Sequence, residues 1–286
     1  MQGCSIFQWT FLFFLISVTA MAQPPKWKEW EIEADTLYSR KDFPGAAKLY
    51  SKVVDASKFK DGQFDDKDVY NALYKRAVCY YNTQEYDKAL KDLDLFVPVF
   101  PNAPQPKLLK AFIYRELDDI DNQLTNLQGA MDLQPVNPDF LKWRGLLYLQ
   151  KNNYLKALND VRSARSFQDD PEVETYLGLC YYNLDKKDSA YISFNKAIEL
   201  DATFPASYLY AGSMSLQDGE YERSLEYLNL ALRLDPRNKE ALFYKGAALV
   251  ELKRIDEGCR CLNQAFYAGF DDAADYLKEY CYGVEN

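Results

Sequence analysis

The chain has 286 residues, with 43 acidic and 34 basic side chains, a formal charge of −9 and no histidine. The missing imidazole excludes Ser-His and Cys-His nucleophilic pairs, His-bound metals and His acid–base catalysis, and the acidic balance argues against nucleic acid, whose phosphates are bound by Lys and Arg. At 15% aromatic, with 23 Tyr, the chain carries more rings than an ordinary soluble composition needs.

Residues 1–22 contain no charged side chain. The run Phe11-Leu12-Phe13-Phe14-Leu15-Ile16 lies in an apolar stretch ending in Ala20-Met21-Ala22, a small-x-small cleavage pattern, and a polar chain starts at Gln23. This reads as a secretory signal peptide that is cleaved, with a retained membrane anchor as the alternative. No second apolar span of membrane length follows, so the mature chain is expected in the periplasm or outside the cell, without an integral membrane segment.

From residue 27 onward the sequence repeats. Tyr86-Asp87-Lys88-Ala89, Tyr154-Leu155-Lys156-Ala157 and Tyr221-Glu222-Arg223-Ser224 recur at intervals of 68 and 67 residues, two units each, so the unit is near 34. Units start near 27, 70, 104, 138, 171, 205 and 239, and only the first interval is longer. Position 8 of the unit is small in all seven: Ala34, Ala77, Ala111, Gly145, Gly178, Gly212 and Gly246. That is what a helix needs where another crosses it closely. Small residues at positions 20 and 27 alternate with large ones at 24 along a second helix, from Ala46, Tyr50 and Val53 to Gly258, Leu262 and Ala265. The unit is thus a helix-turn-helix with buried stripes. Pro101, Pro135 and Pro236 are expected to end three second helices.

The extra residues of the first interval, 57–68, read as a solvated insertion with a helix cap at its end. Past Gly269, Asp271 or Asp272 is placed to cap a final helix presenting Ala273, Tyr276, Leu277, Tyr280 and Cys281 on one face. Residues 271–286 are therefore expected to cover the last hairpin, because a repeat array must cap its ends. Five cysteines follow the leader, and none has metal-site spacing. They read as small buried apolar side chains, or, if the chain turns back near Gly269, as one bridge between Cys259 and Cys281, which then lie opposite each other.

These residues resemble the tetratricopeptide repeat, with its small residue at 8, bulky residue at 11, aromatic at 17, Ala at 20 and 27, and Pro at 32. The resemblance covers residues 27–270, within a repeat domain of 23–270. Lys107 and Glu174 at position 4, Gln123 at 20 and Lys187 at 17 depart from it. It implies an all-α, right-handed α-solenoid of about seven helix-turn-helix repeats with a C-terminal capping helix, whose concave face is lined by positions 2, 5, 6, 9, 12 and 13 of each first helix.

Carried over, those positions give a largely apolar wall that includes Tyr74, Tyr81, Phe112, Leu146, Leu209 and Val250. They also give an aromatic ladder at position 6, Trp143, Tyr176, Tyr210 and Tyr244, and amides at position 13, Asn82, Gln150, Asn183 and Gln217. The amides are suited to pair with an extended backbone. Packing between neighbouring first helices is the other account of the ladder. The family's clamp for chaperone-tail carboxylates needs Asn at position 9, where this chain has Asp35, Val78, Phe112, Leu146, Leu179, Ser213 and Ala247, so that clamp is not expected.

The implied function is a non-enzymatic scaffold holding a protein or extended peptide in the groove. The alternative is a carbohydrate-binding component that stacks sugars on the aromatic ladder. Ser193-x-x-Lys196 matches a Ser-Lys spacing without its companion motifs, glycine-rich phosphate loops are absent, and no cofactor, metal or catalytic residue is expected.

Overall fold

The structure is a computed structural model that describes residues 26–57, 59–60, 63–64, 66–134 and 136–282. The leader, residues 1–22, lies outside the described residues. The chain divides into two compact units, one up to Val99 and one from Phe100 on.

The first unit holds helices α1 (Trp27–Ser39), α2 (Phe43–Asp55), α3 (Asp68–Asn82) and α4 (Tyr86–Phe96). The second holds α5 (Pro104–Glu116), α6 (Ile120–Met131), α7 (Pro138–Gln150), α8 (Tyr154–Arg165), α9 (Pro171–Asn183), α10 (Lys187–Leu200), α11 (Pro205–Gln217), α12 (Tyr221–Leu234), α13 (Lys239–Glu251) and α14 (Ile255–Tyr267). It ends in a short α15 (Ala273–Tyr276) running into a π-turn over Leu277–Cys281. Each unit is a stack of antiparallel helical hairpins, all-α but for one two-stranded ribbon in the first. Among the described residues no helix is long and apolar enough to cross a membrane.

One backbone device makes every hairpin. The fifteenth residue of each repeat takes a left-handed φ: Lys41 (62°), Gln84 (61°), Asp118 (55°), Asn152 (55°), Asp185 (57°), Gly219 (77°) and Lys253 (60°). The next N–H then reaches back to the carbonyl five residues earlier, as from Glu85 to Tyr80 (2.8 Å), Asn153 to Tyr148 (2.8 Å) and Arg254 to Leu249 (2.8 Å). This closes the first helix and reverses the chain, satisfying carbonyls that a helix end would leave open.

Position 8 packs against position 24 of the same hairpin. A Cβ built on Gly178 would lie 2.4 Å from Phe194 Cε1, and one on Gly246 2.7 Å from Leu262 Cγ. Phe194, Leu228 and Leu262 are fully buried. At position 20, where the other units place Ala, Ser or Gly, Gln123 is also buried, and its Oε1 has no hydrogen-bond donor among the described residues.

Three details differ from the sequence reading. The insertion is not simply solvated: Phe59–Lys60 and Gln63–Phe64 pair as two short antiparallel strands, β1 and β2. Phe64 is buried edge-on to Tyr70, with ring centroids 5.5 Å apart, because an insertion bearing two aromatics finds apolar cover on α3. The helix α4 stops at Phe96, well before Pro101, so that proline does not end it. In the terminal cap, Asp272 precedes α15 without a side-chain capping bond, and Tyr280 is exposed. Widening to π geometry at Leu277 rotates the last residues away from an ideal helical stripe.

Candidate functional site

In the first unit, Tyr74 is half-buried with its ring 5.7 Å from Phe96, and burial raises its phenol pKa. Tyr81 packs on Tyr86 at 6.1 Å. Asn82, the last residue of α3, spends one amide hydrogen on Val78 O at 2.8 Å.

In the second unit, Phe112 and Trp143 stack at 5.1 Å with a 15° interplanar angle. The Arg115 guanidinium lies 5.1 Å from the Phe112 ring centre and 5.5 Å from that of Trp143, a cation–π arrangement worth about 0.5–1 kcal/mol per exposed pair. The Tyr176 hydroxyl donates to Glu172 Oε1 at 2.7 Å, and burial first, then that bond, pushes its pKa up. Burial likewise raises Tyr210 and Tyr244. Gln150 and Gln217 are exposed, as is Asn183, which donates to Leu179 O at 2.9 Å and keeps its carbonyl oxygen and second N–H available.

All four ladder rings are half-buried and touch apolar core clusters. Trp143 packs against the cluster of Ala111, Leu127 and Leu147, Tyr176 against that of Leu141, Val161 and Leu177, Tyr210 against that of Ala190, Phe194 and Ala211, and Tyr244 against that of Tyr208, Leu228 and Ala241. Each of these clusters draws on more than one helix, so packing between helices accounts for part of each ring. Leu209 and Val250, placed on the wall by their repeat positions, are buried and offer nothing to a ligand.

One cleft does open on this face. It measures about 230 Å³ and is lined by Arg115, Asp139, Lys142, Trp143, Leu146, Glu172 and Tyr176. Lys142 bridges Asp170 at 3.0 Å and Glu172 at 2.6 Å. Burial works against the Lys142 ammonium, but hydrogen bonds to Glu172 and Asp170 outweigh it and raise its pKa. The lining residues fall at positions 12, 2, 5, 6, 9, 2 and 6 of their repeats. The charged ones were overlooked in favour of apolar neighbours at the same positions; reading those positions without regard to polarity finds them. The cleft combines the ring faces of Trp143 and Tyr176, the aliphatic Leu146 and charges of both signs.

Residues 33–104, 177–204 and 211–258, more than half of the chain together, match the sequence profiles of the tetratricopeptide repeat. The chain belongs to the tetratricopeptide-repeat family. Among curated relatives, the Hsp70-Hsp90 organizing protein of Triticum aestivum is 24% identical over 244 residues, 72% of this chain and 40% of that protein. The chain spans less than half the length of the curated relatives it matches. Two solved tetratricopeptide-repeat structures share the fold. One from Parabacteroides merdae has a TM-score of 0.68 at 14% identity, covering 88% of this chain and 97% of that one. The C-terminal part of a repeat protein from Cytophaga hutchinsonii has a TM-score of 0.60 at 20% identity, covering 86% and 98%.

Proposed function

We propose that this tetratricopeptide-repeat chain is a non-enzymatic scaffold that holds an extended peptide or protein partner against its first helices. The observation that carries the reading is the cleft beside Trp143 and Tyr176, whose lining residues all occupy positions that face the ligand in this family. An apolar and aromatic floor with a charged rim is the anatomy of a protein-binding patch. A relative organises Hsp70 and Hsp90 by its name. A partner other than a chaperone carboxylate tail is supported here by Val78, Phe112, Leu146 and Leu179 at the position where that clamp carries Asn. Against the carbohydrate alternative, Trp143 already has one face covered by Phe112.

The reading includes export. Its support is the uncharged leader ending in Ala20-Met21-Ala22, together with a disulfide between Cys259 and Cys281, a bond at home in an oxidising compartment. Alkylating free thiols in intact cells tests this: Cys259 and Cys281 are expected to resist the reagent until a reductant is added, and free thiols at both would contradict export. Photo-crosslinking tests the groove. A crosslinker at Arg115 in the cleft is expected to capture a partner in the native envelope that one at the exposed Arg162 of α8 does not. Equal capture from both sites would contradict the groove.

A further inference from the structure

The fourth residue of the repeat is buried and apolar in four units, as Leu73, Leu141, Tyr208 and Leu242. In the fifth unit it is Glu174, whose side chain is 1% exposed. Arg165, at the end of α8, brings Nε to 2.8 Å from Glu174 Oε1, yet off the line of its N–H bond, so the oxygen has no aligned donor. The Glu174 carboxylate is therefore charge-paired but short of a hydrogen-bond donor.

Glu174 is the buried part of an open cleft of about 360 Å³ between α8, α9 and α10. Arg165 and Lys196 supply positive charge, Ser193 and Asn195 polar groups, and Ile192, 69% exposed, an aliphatic wall. Among the described residues Lys196 has no ion-pair partner, although it acts on Glu174 electrostatically. With Glu199, the lining holds two charges of each sign. An ion of one sign gains little from such a lining, whereas a molecule carrying one charge of each sign satisfies both halves.

We propose that this cleft binds a small zwitterion of the α-amino-acid class. Its ammonium group lies against the Glu174 and Glu199 carboxylates, its carboxylate lies between Arg165 and Lys196, and an aliphatic side chain rests on Ile192. The site is built largely from second helices and shares no residue with the cleft at Trp143, so it stands or falls separately from peptide binding.

Titration calorimetry on the full chain tests it with three probes: L-leucine, L-leucinamide, which lacks the carboxylate, and N-acetyl-L-leucine, which lacks the ammonium group. L-Leucine is expected to bind, and each derivative to bind at least about tenfold more weakly, the loss of one charge-assisted contact. Glu174→Gln and Lys196→Ala should each weaken L-leucine by a similar factor, and Lys196→Ala keeps the test open if the buried substitution prevents folding. Equal binding of the three probes, wild-type affinity in Lys196→Ala, or no heat from L-leucine at about ten millimolar would overturn the proposal.

Discussion

Arg144 and Asp160 face each other across the fourth hairpin in a two-pronged pair, with Nε to Oδ2 at 2.7 Å and Nη2 to Oδ1 at 2.6 Å. Arg76 and Asp92 repeat the relationship at 2.8 and 2.7 Å in the second hairpin, at the same two repeat positions. Both pairs tie a first helix to its second in a largely buried setting, with side-chain exposures of 16% and 10% for Arg144 and Asp160. Arg144→Ala strands the Asp160 carboxylate, so it should cost about 3–5 kcal/mol in urea unfolding, while Arg144→Met with Asp160→Leu should recover most of that loss. A loss under about 1 kcal/mol for the single variant would show the pair to be a surface contact.

Six of the seven hairpin turns force a side chain into left-handed φ, and only Gly219 is free of that cost. Lys253→Gly and Asp118→Gly should each raise the stability of the chain by about 0.5–1 kcal/mol, and Gly219→Ala should lower it by about 1 kcal/mol. Melting temperatures moving in the opposite sense would contradict the turn assignment.

The contact between Gly178 and Phe194 leaves no room for a methyl group. Gly178→Ala should cost about 1–3 kcal/mol through overpacking. Phe194→Leu in the same chain should restore most of it, since Ala77 with Leu93 and Ala111 with Leu127 already pack that way with all four residues fully buried. Double-variant stability no better than the single would contradict the pairing.

Glu174 has a raised pKa because burial outweighs the attraction of Arg165. The folded chain therefore holds its proton more tightly than the unfolded chain. The stability this contributes is present below the ordinary glutamate value of 4.5 and is lost as pH rises through the folded value. Glu174→Gln has no such proton, so its stability relative to the wild type should be greater at about pH 7 than at about pH 4.5. Urea unfolding of both proteins at the two pH values checks this, and a difference that does not change with pH would contradict it.

The hairpins were legible because their grammar is apolar and periodic: Ala34 to Gly246 at position 8 and Tyr50 to Leu262 at position 24 mark both helices of every unit. The left-handed backbone of the turns was not, because position 15 is Lys, Gln, Asp, Asn, Asp, Gly and Lys. Six side chains tolerate a conformation that glycine would have announced. The Arg–Asp pairs were legible in principle, as Arg76 with Asp92 and Arg144 with Asp160 share one spacing, but charged residues drop out of a search for apolar stripes. The same filter hid Arg115, Lys142 and Glu172 while finding Trp143 and Tyr176 beside them. Glu174 stood out only as a departure from the repeat; that it is buried beside an open cleft depends on the packing of three helices, which no single stretch of sequence encodes.

The most direct test of the groove is the affinity of the captured partner for Trp143→Ala compared with Arg162→Ala, each folded to the same degree by far-ultraviolet circular dichroism. Trp143→Ala should lose about thirtyfold in affinity, as expected for an aromatic anchor at the centre of an interface, and Arg162→Ala should keep wild-type affinity. Unchanged affinity in Trp143→Ala, or a loss confined to Arg162→Ala, would place the partner elsewhere on the chain.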